Sequence, residues 1–243
     1  MTCQWLLTCQ LNSKGLHIKM RNSLNQSTYD RFKMDIMTFA LKPGEVVSAA
    51  KIADRYEVSR TPAREALVKL ETEGLVDIFP QSKSIISRID VNRANQEWFI
   101  RKTLEMGMVD KLFEKVKDSD ILKMRSFCRK MEEVSQGEKT NESAYEYLIN
   151  DNEFHAMTYH IAGEDLAADM IKNTMAHYNR IRLLIDLEYS HKDRTVSTHE
   201  QLIQHLEQKN KEAYRELLGT HLSYITQDIE DIKKQNPELF KTE

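Results

Sequence analysis

The chain has 243 residues, 30% charged, 40% hydrophobic and 8% aromatic, with a net charge of -3, and it holds no apolar run long enough to span a bilayer. Its 7 Gly and 4 Pro are too few for a collagen-like or low-complexity chain or a turn-rich β sandwich, so a mainly α fold is expected. Cys3, Cys9 and Cys128 are spaced neither for a disulfide framework nor for a zinc knuckle, and they indicate a reducing, cytoplasmic compartment.

Residues 1–25 carry a short apolar patch at Trp5, Leu6 and Leu7 with no basic residue before it, which does not make an export signal. They are expected to form a disordered extension, with Met20 as a second start. Organised sequence begins near Tyr29. Phe32, Ile36, Met37 and Ala40 recur at helical spacing, and Lys42, Pro43 and Gly44 end that helix. A second helix opens at Ser48 and carries Ala49, Ile52, Ala53 and Tyr56 on one face. A third follows Ser59, whose hydroxyl is placed to cap it; Pro62 suits its first turn, Ala63, Ala66, Leu67 and Leu70 form its stripe, and Gly74 stops it.

After Gly74 two short β runs flank a turn of Pro80, Gln81, Ser82, Lys83 and Ser84: first Val76, Ile78 and Phe79, then Ile85, Ile86 and Ile89. Three helices and a hairpin make a winged helix-turn-helix, assigned to residues 26–89. Arg60 and Arg64 lie opposite the apolar stripe at the start of the third helix, where guanidinium groups can reach guanine edges or phosphates in a major groove. Spacing alone equally permits two surface arginines paired with Glu57 or Glu65.

The run from Tyr29 to Val76 resembles the N-terminal DNA-binding domain of the GntR family of bacterial transcription regulators. The resemblance rests on Pro43, Gly44 and Glu45, then Ser59, Arg60, Thr61, Pro62, Arg64, Glu65, Ala66 and Leu67, then Leu70 through Leu75. It implies that Ser59, Arg60, Thr61 and Arg64 contact double-stranded operator DNA. The family usually has a Gly at the wing tip, where this chain has Gln81, Ser82, Lys83 and Ser84, so Lys83 is expected to serve a phosphate.

From residue 90 the pattern changes. A linker at 90–95 leads into a helical domain at 96–235, followed by a tail at 236–243. Helices are expected at Gln96 to Lys115, Ser119 to Gln136, Ser143 to Ala162, Leu166 to Tyr189, Thr195 to Lys209 and Lys211 to Lys234, packed as an antiparallel all-helical bundle. Charge divides with the domains: residues 1–88 carry 13 Lys+Arg against 9 Asp+Glu, and residues 89–243 carry 22 against 29. A basic front and an acidic rear suit a nucleic-acid reader joined to a different module.

Seven of the eight histidines lie between positions 155 and 221. His155 shares a stripe with Leu148, Asp151, Tyr159 and Ala162; His199 with Leu202, Ile203 and Leu206; His221 with Leu217, Leu218, Leu222 and Ile225. Three helices thus each aim one His inward, and Asp151 lies one turn before His155. His205 falls on a solvated face, His191 in a joint, and His160 and His177 have mixed neighbours. Imidazoles and a carboxylate are the ligands favoured by Zn, Ni, Mn or Fe(II). A hydrogen-bonded polar core accounts for the same pattern equally well.

This part of the chain resembles the FCD ligand-binding domain of the FadR-like branch of GntR regulators. Its metal-binding members carry an Asp, a His four residues later and two further His; Asp151, His155, His199 and His221 match, with Arg101 and Glu105 matching the first-helix pair. The chain departs at Gly163 and Glu164, where the pattern usually has Gly then Asn. The resemblance implies a homodimeric regulator with a divalent metal ion (Zn, Ni, Mn or Fe) and a small organic acid effector: a sugar acid, hydroxy acid or dicarboxylate. Open metal positions bind carboxylate oxygens and an inward arginine can add a bidentate contact, for which Arg101, Arg180 and Arg182 are the candidates. Two rival readings are a purely structural cluster with a dimerisation role, and a metal-dependent hydrolase. The hydrolase needs a general base beside the metal, and the chain has no H-E-x-x-H motif.

Overall fold

The computed structural model describes residues 27–80, 83–189, 192–224 and 228–242. The extension expected at residues 1–25, and His191, lie outside the described residues. Helix α1 (Thr28–Met37) is capped by Ser27, whose hydroxyl accepts from the Asp30 amide, and it buries Phe32, Ile36 and Met37. A two-residue strand β1 (Val46–Val47) leads to α2 (Ala49–Tyr56), which Ser48 caps by accepting from the Lys51 amide at 3.2 Å. Helix α3 (Arg60–Thr72) buries Ala63, Ala66, Leu67 and Leu70. Ser59 stands at its N-cap position but makes no side-chain cap bond, contrary to expectation. Gly74 takes a φ of +79°, the left-handed turn after α3 that a side chain would strain.

Strands β2 (Val76–Phe79) and β3 (Lys83–Ile86) pair antiparallel, with Val76 opposite Ile86 and Phe79 opposite Lys83. The turn is therefore tighter than the pattern suggested, because Lys83 and Ser84 belong to the ladder. Strand β1 joins the other edge of β3, giving the order β1-β3-β2. Two residues are too short to show a period, so this strand was not foreseen. The domain is a winged helix-turn-helix with a small antiparallel sheet.

The linker expected at 90–95 is instead the first turn of α4 (Val91–Gly107), because Asp90 accepts from the Arg93 amide at 3.1 Å and starts the helix at once. The next segments follow as α5 (Val109–Lys115), α6 (Asp118–Ser135), α7 (Asn141–Ala162), α8 (Asp165–Thr174), α9 (Ala176–Tyr189), α10 (Lys192–Glu207), α11 (Lys211–His221) and α12 (Ile229–Gln235). Three runs expected as single helices are broken, near Gly107 and Met108, at Met175 and after His221. The apolar period continues across each break, and Met108 and Met175, at the first two, are buried. Helices α5, α6, α7, α10 and α11 enclose a core that includes Met124, Cys128, Phe154, Leu202, Ile203 and Leu218. The C-terminal tail is packed down: Leu239 and Phe240 are buried, and Ile89 exchanges backbone hydrogen bonds with Leu239 and Lys241 at 2.9 and 2.8 Å. Among the described residues no helix is long and apolar enough to cross a membrane.

Candidate metal centre and adjoining cavity

Helix α7 supplies the first two residues of the centre. Thr140 and Ser143 form a capping box at its start, and the helix then runs through the middle of the bundle, burying residues on most of its faces. Asp151 and His155, four apart, therefore share an interior face. His199 comes from α10 and is stacked on Phe154 with ring centroids 4.0 Å apart; His221 ends α11 and stacks on His155 at 5.2 Å. One ligand atom from each of Asp151, His155, His199 and His221 fits into a group spanning no more than 4.8 Å.

The Nε2 atoms of His155 and His199 each lie 3.2 Å from Nε2 of His221. Glu105 on α4 determines how these atoms are protonated. Its Oε2 accepts from His155 Nδ1 at 2.7 Å, and although burial works to raise the Glu105 carboxyl, His155 and Arg101 together hold it down at about 2. An ionised Glu105 places the His155 proton on Nδ1 and leaves the Nε2 lone pair pointing at the cluster. Burial pushes His199 down to about 3 despite Asp151, and lowers His221 well below its ordinary value. For Asp151 burial acts upward, but Arg182, His155, His199 and Arg101 outweigh it and keep the carboxyl far below the usual range. An ionised Asp151 beside neutral His199 and His221 imidazoles is the charge arrangement that a metal ligand set needs.

The residues fit a metal ion. Without an ion, His221 Nε2 has at most one proton to share between the Nε2 atoms of His155 and His199, each 3.2 Å away, while one cation accepts all three lone pairs. Metal–nitrogen bonds of about 2.1 Å put neighbouring ligand atoms roughly 3 Å apart, close to the separations found. The buried Nδ1 atoms of His199 and His221 have no protein partner.

Beside the cluster lies a cavity of about 70 Å³ lined by Arg101, Tyr147, Tyr178, Arg182, Arg194 and Tyr224 among others. The arginines differ in their commitments. Arg101 donates to Glu105 at 2.7 Å and stands 3.8 Å from Asp151 Oδ2. Arg182 donates to Asp151 Oδ2, and also to Asn152 and Asn179 at 2.7 and 3.1 Å. Arg194 lies over the Tyr224 ring at 4.1 Å. Sequence reasoning missed Arg194, which it left in a joint, and missed that Glu105 bonds a candidate ligand. The Asp151, His155 and Glu105 spacings, read jointly, were the available signal.

Arg180 corrects an expectation. It is fully buried but turned away from this cavity: Nη1 donates to the Ser87 carbonyl at 2.6 Å and Nη2 to His177 Nδ1 at 3.1 Å. The rotation between Arg180 and Arg182 on α9 sends the two to opposite sides. His177 is buried in the same place, His160 is exposed against Asp165, and His205 is half-buried rather than solvated, with an enclosed Nδ1.

On the first domain, Ser59, Arg60, Thr61 and Arg64 are all exposed around the start of α3, and Lys83 is exposed at the start of β3. Among the described residues neither Arg60 nor Arg64 forms an ion pair, so the pairing with Glu57 or Glu65 does not occur.

Comparison with known proteins gives the same division of the chain. The description "bacterial regulatory proteins, gntR family" matches residues 24–86, and the FCD domain matches residues 98–224. The HTH-type transcriptional repressor RspR of Escherichia coli is 26% identical over 220 residues, 90% of this chain and 95% of its own. A regulator from an unstable DNA locus of Streptomyces ambofaciens is 29% identical over 88% of this chain and 89% of its own. In fold, E. coli McbR/YncC aligns with a TM-score of 0.68 at 19% identity, covering 86% of this chain and 96% of that one. A GntR regulator of Rhodococcus sp. RHA1 aligns at 0.66 with 16% identity, covering 88% and 97%.

Proposed function

The chain belongs to the gntR family of bacterial regulatory proteins and carries an FCD domain behind its winged helix, and from that premise we propose that it is a homodimeric, DNA-binding regulator whose operator affinity is set by a small carboxylic acid. The acid binds in the FCD domain at a metal centre held by Asp151, His155, His199 and His221. The observation that carries this reading is the guanidinium of Arg182 on the buried carboxylate of Asp151, at the wall of a cavity that also holds Arg101 and Arg194.

When bound, a divalent ion with open positions supplies a Lewis-acid contact for carboxylate oxygens. The protein's own residues do the rest. Glu105 keeps the His155 ring oriented and its proton on Nδ1. Arg182 has planar N–H groups beside Asp151, suited to a second, bidentate contact with a carboxylate. Arg101 is largely engaged with Glu105 and supports the centre, and Arg194 adds positive charge at the rim. At the other end, Arg60, Thr61 and Arg64 present donors to base edges and phosphates, Ser59 to the backbone, and Lys83 to a phosphate beside the wing.

A ligand changes DNA binding only if it favours one domain arrangement over another. The test is direct: determine metal per chain in purified protein, then titrate DNA selected in vitro for binding, at fixed salt, with and without citrate, malate or gluconate. A metal-dependent change in affinity with the acid unconsumed supports the reading. Metal-free protein, or a metal-loaded protein indifferent to every acid, refutes it.

A further inference from the structure

Helix α7 separates two spaces. Tyr147 and Asp151 face the small cavity beside the metal centre, whereas Leu148, Asn152, Ala156 and Tyr159 face a second cavity of about 320 Å³ on the other side, where His155 of the metal centre also reaches the wall. That volume falls within the range of small-molecule sites, roughly 300–1,000 Å³. Its walls come from both domains: Met37 of α1 and Leu75 before β2 on one side, Ala168 of α8 and Met175 before α9 on the other. We propose that this seam is a second ligand site, distinct from the metal centre, which takes a neutral molecule with an apolar body and one hydrogen-bonding group.

Three observations support it. The hydroxyl of Tyr159, a residue lining the cavity and 1% exposed, is buried without a hydrogen-bond partner. Native structures rarely leave such a group unsatisfied, and a ligand donor or acceptor would complete it. The charged groups at the walls are already engaged, Lys33 with Glu73 at 2.7 Å and Arg101 with Glu105 at 2.7 Å, while Glu153, Asp169 and Lys172 are exposed and belong to the rim. A charged ligand would therefore lose its hydration with no free counter-charge inside. Finally, the two spaces adjoin: Arg101 lines both, and Arg182, at the wall of the first, donates to Asn152 and Asn179 at the wall of the second.

A ligand here would contact the DNA-binding domain and the FCD domain at once, and its binding free energy would depend on how they are placed. The probe is 2-naphthol, a neutral two-ring alcohol whose emission changes when it leaves water. It is titrated into the full-length protein, metal-loaded and metal-stripped, and into three variants: Ala168→Leu and Ala156→Leu, which fill the cavity from α8 and α7, and Tyr159→Phe. Melting and operator binding establish that each variant is folded. Saturable binding at one probe per chain is expected with and without metal, undisturbed by citrate. The expected loss is about tenfold or more in the filled variants, and several-fold, up to about tenfold, in Tyr159→Phe. Absence of saturable binding to the parent protein overturns the proposal, as does binding unchanged in both folded filled variants. Loss of binding on metal removal or displacement by citrate would assign the probe to the metal-side cavity and equally refute a second site. None of these outcomes depends on whether the metal centre responds to carboxylic acids, which the operator titration measures separately.

Discussion

Arg180 on α9 donates to the backbone carbonyl of Ser87 at 2.6 Å, across the boundary between the FCD domain and the wing. Ser87 in turn holds Asp77 of β2 through its hydroxyl at 2.8 Å, and His177 accepts from the Asp90 amide at 3.1 Å, so one turn of α9 grips both the end of the wing and the start of α4. The same helix carries Arg182 to Asp151. A movement of Arg182 is therefore mechanically connected to the base of the DNA-binding domain.

Replacing Arg180 with Met should preserve most of the volume but leave the Ser87 carbonyl without its partner in a dry interior. A destabilisation of about 2–3 kcal/mol is expected, measured by chemical denaturation, with metal content unchanged. A drop in metal content instead would mean that Arg180 supports the centre itself.

His177 adds a pH dependence. Burial, reinforced by Arg180, pushes its imidazole down from the ordinary 6.5 to about 3. Between those values the unfolded chain binds a proton that the folded chain does not, so stability rises with pH and is lost on acidification, by about 1.4 kcal/mol per pH unit per such group. His199 and His221 act in the same direction in metal-free protein. Asp151 and Glu105, whose folded values are depressed, lose their contribution only at lower pH, below the unfolded carboxyl values. Denaturation between about pH 5 and 6.5 therefore reads mainly the imidazoles, with Glu97, whose carboxyl burial raises, contributing a slope of opposite sign that is common to parent and variant. His177→Asn keeps an acceptor for Asp90 and should lower the slope by one group; an unchanged slope would show that His177 is not neutral in the fold.

Alanine at Asp151, His155, His199 or His221 should lower metal occupancy, while alanine at His160 or His205 should not. Equilibrium dialysis followed by metal analysis makes the comparison. Equal losses at His205 would mean that the centre has been built from the wrong histidines.

The two inner arginines should separate. Arg101→Ala frees Glu105 from its 2.7 Å partner and loosens the hold on His155, so metal affinity is expected to fall about 10–100-fold. Arg182→Ala should leave metal binding intact or stronger, since it removes a competing cation from Asp151, and abolish the response of operator binding to carboxylic acids. A full acid response in Arg182→Ala would transfer that role to Arg194.

Joint replacement of Arg60 and Arg64 by Ala should leave the fold intact, both being exposed. Operator binding should weaken by about 1–3 kcal/mol for each base-reading guanidinium removed. A folded double variant with undiminished affinity, measured at constant salt, would remove α3 from the DNA interface.

The four metal-site candidates were legible because helical period places i and i+4 on one face whatever the helix packs against: Asp151 and His155 could be paired from spacing alone. The winged helix was legible for a related reason, its caps and stops being local, at Ser48 and Gly74. Other features were decided only by tertiary packing. Whether Arg180 or Arg182 faces the cavity depends on how α9 is rotated against its neighbours, and both positions are helical and charged in the sequence. The breaks at Met108 and Met175 interrupt an apolar period that continues across them, and both methionines are buried, so the period alone does not mark where the chain turns. Glu105 reaches His155 from fifty positions away, and the cavity under Tyr159 exists only where two domains meet. Short-range periodicity records which faces are buried; it carries no information about which buried face meets which.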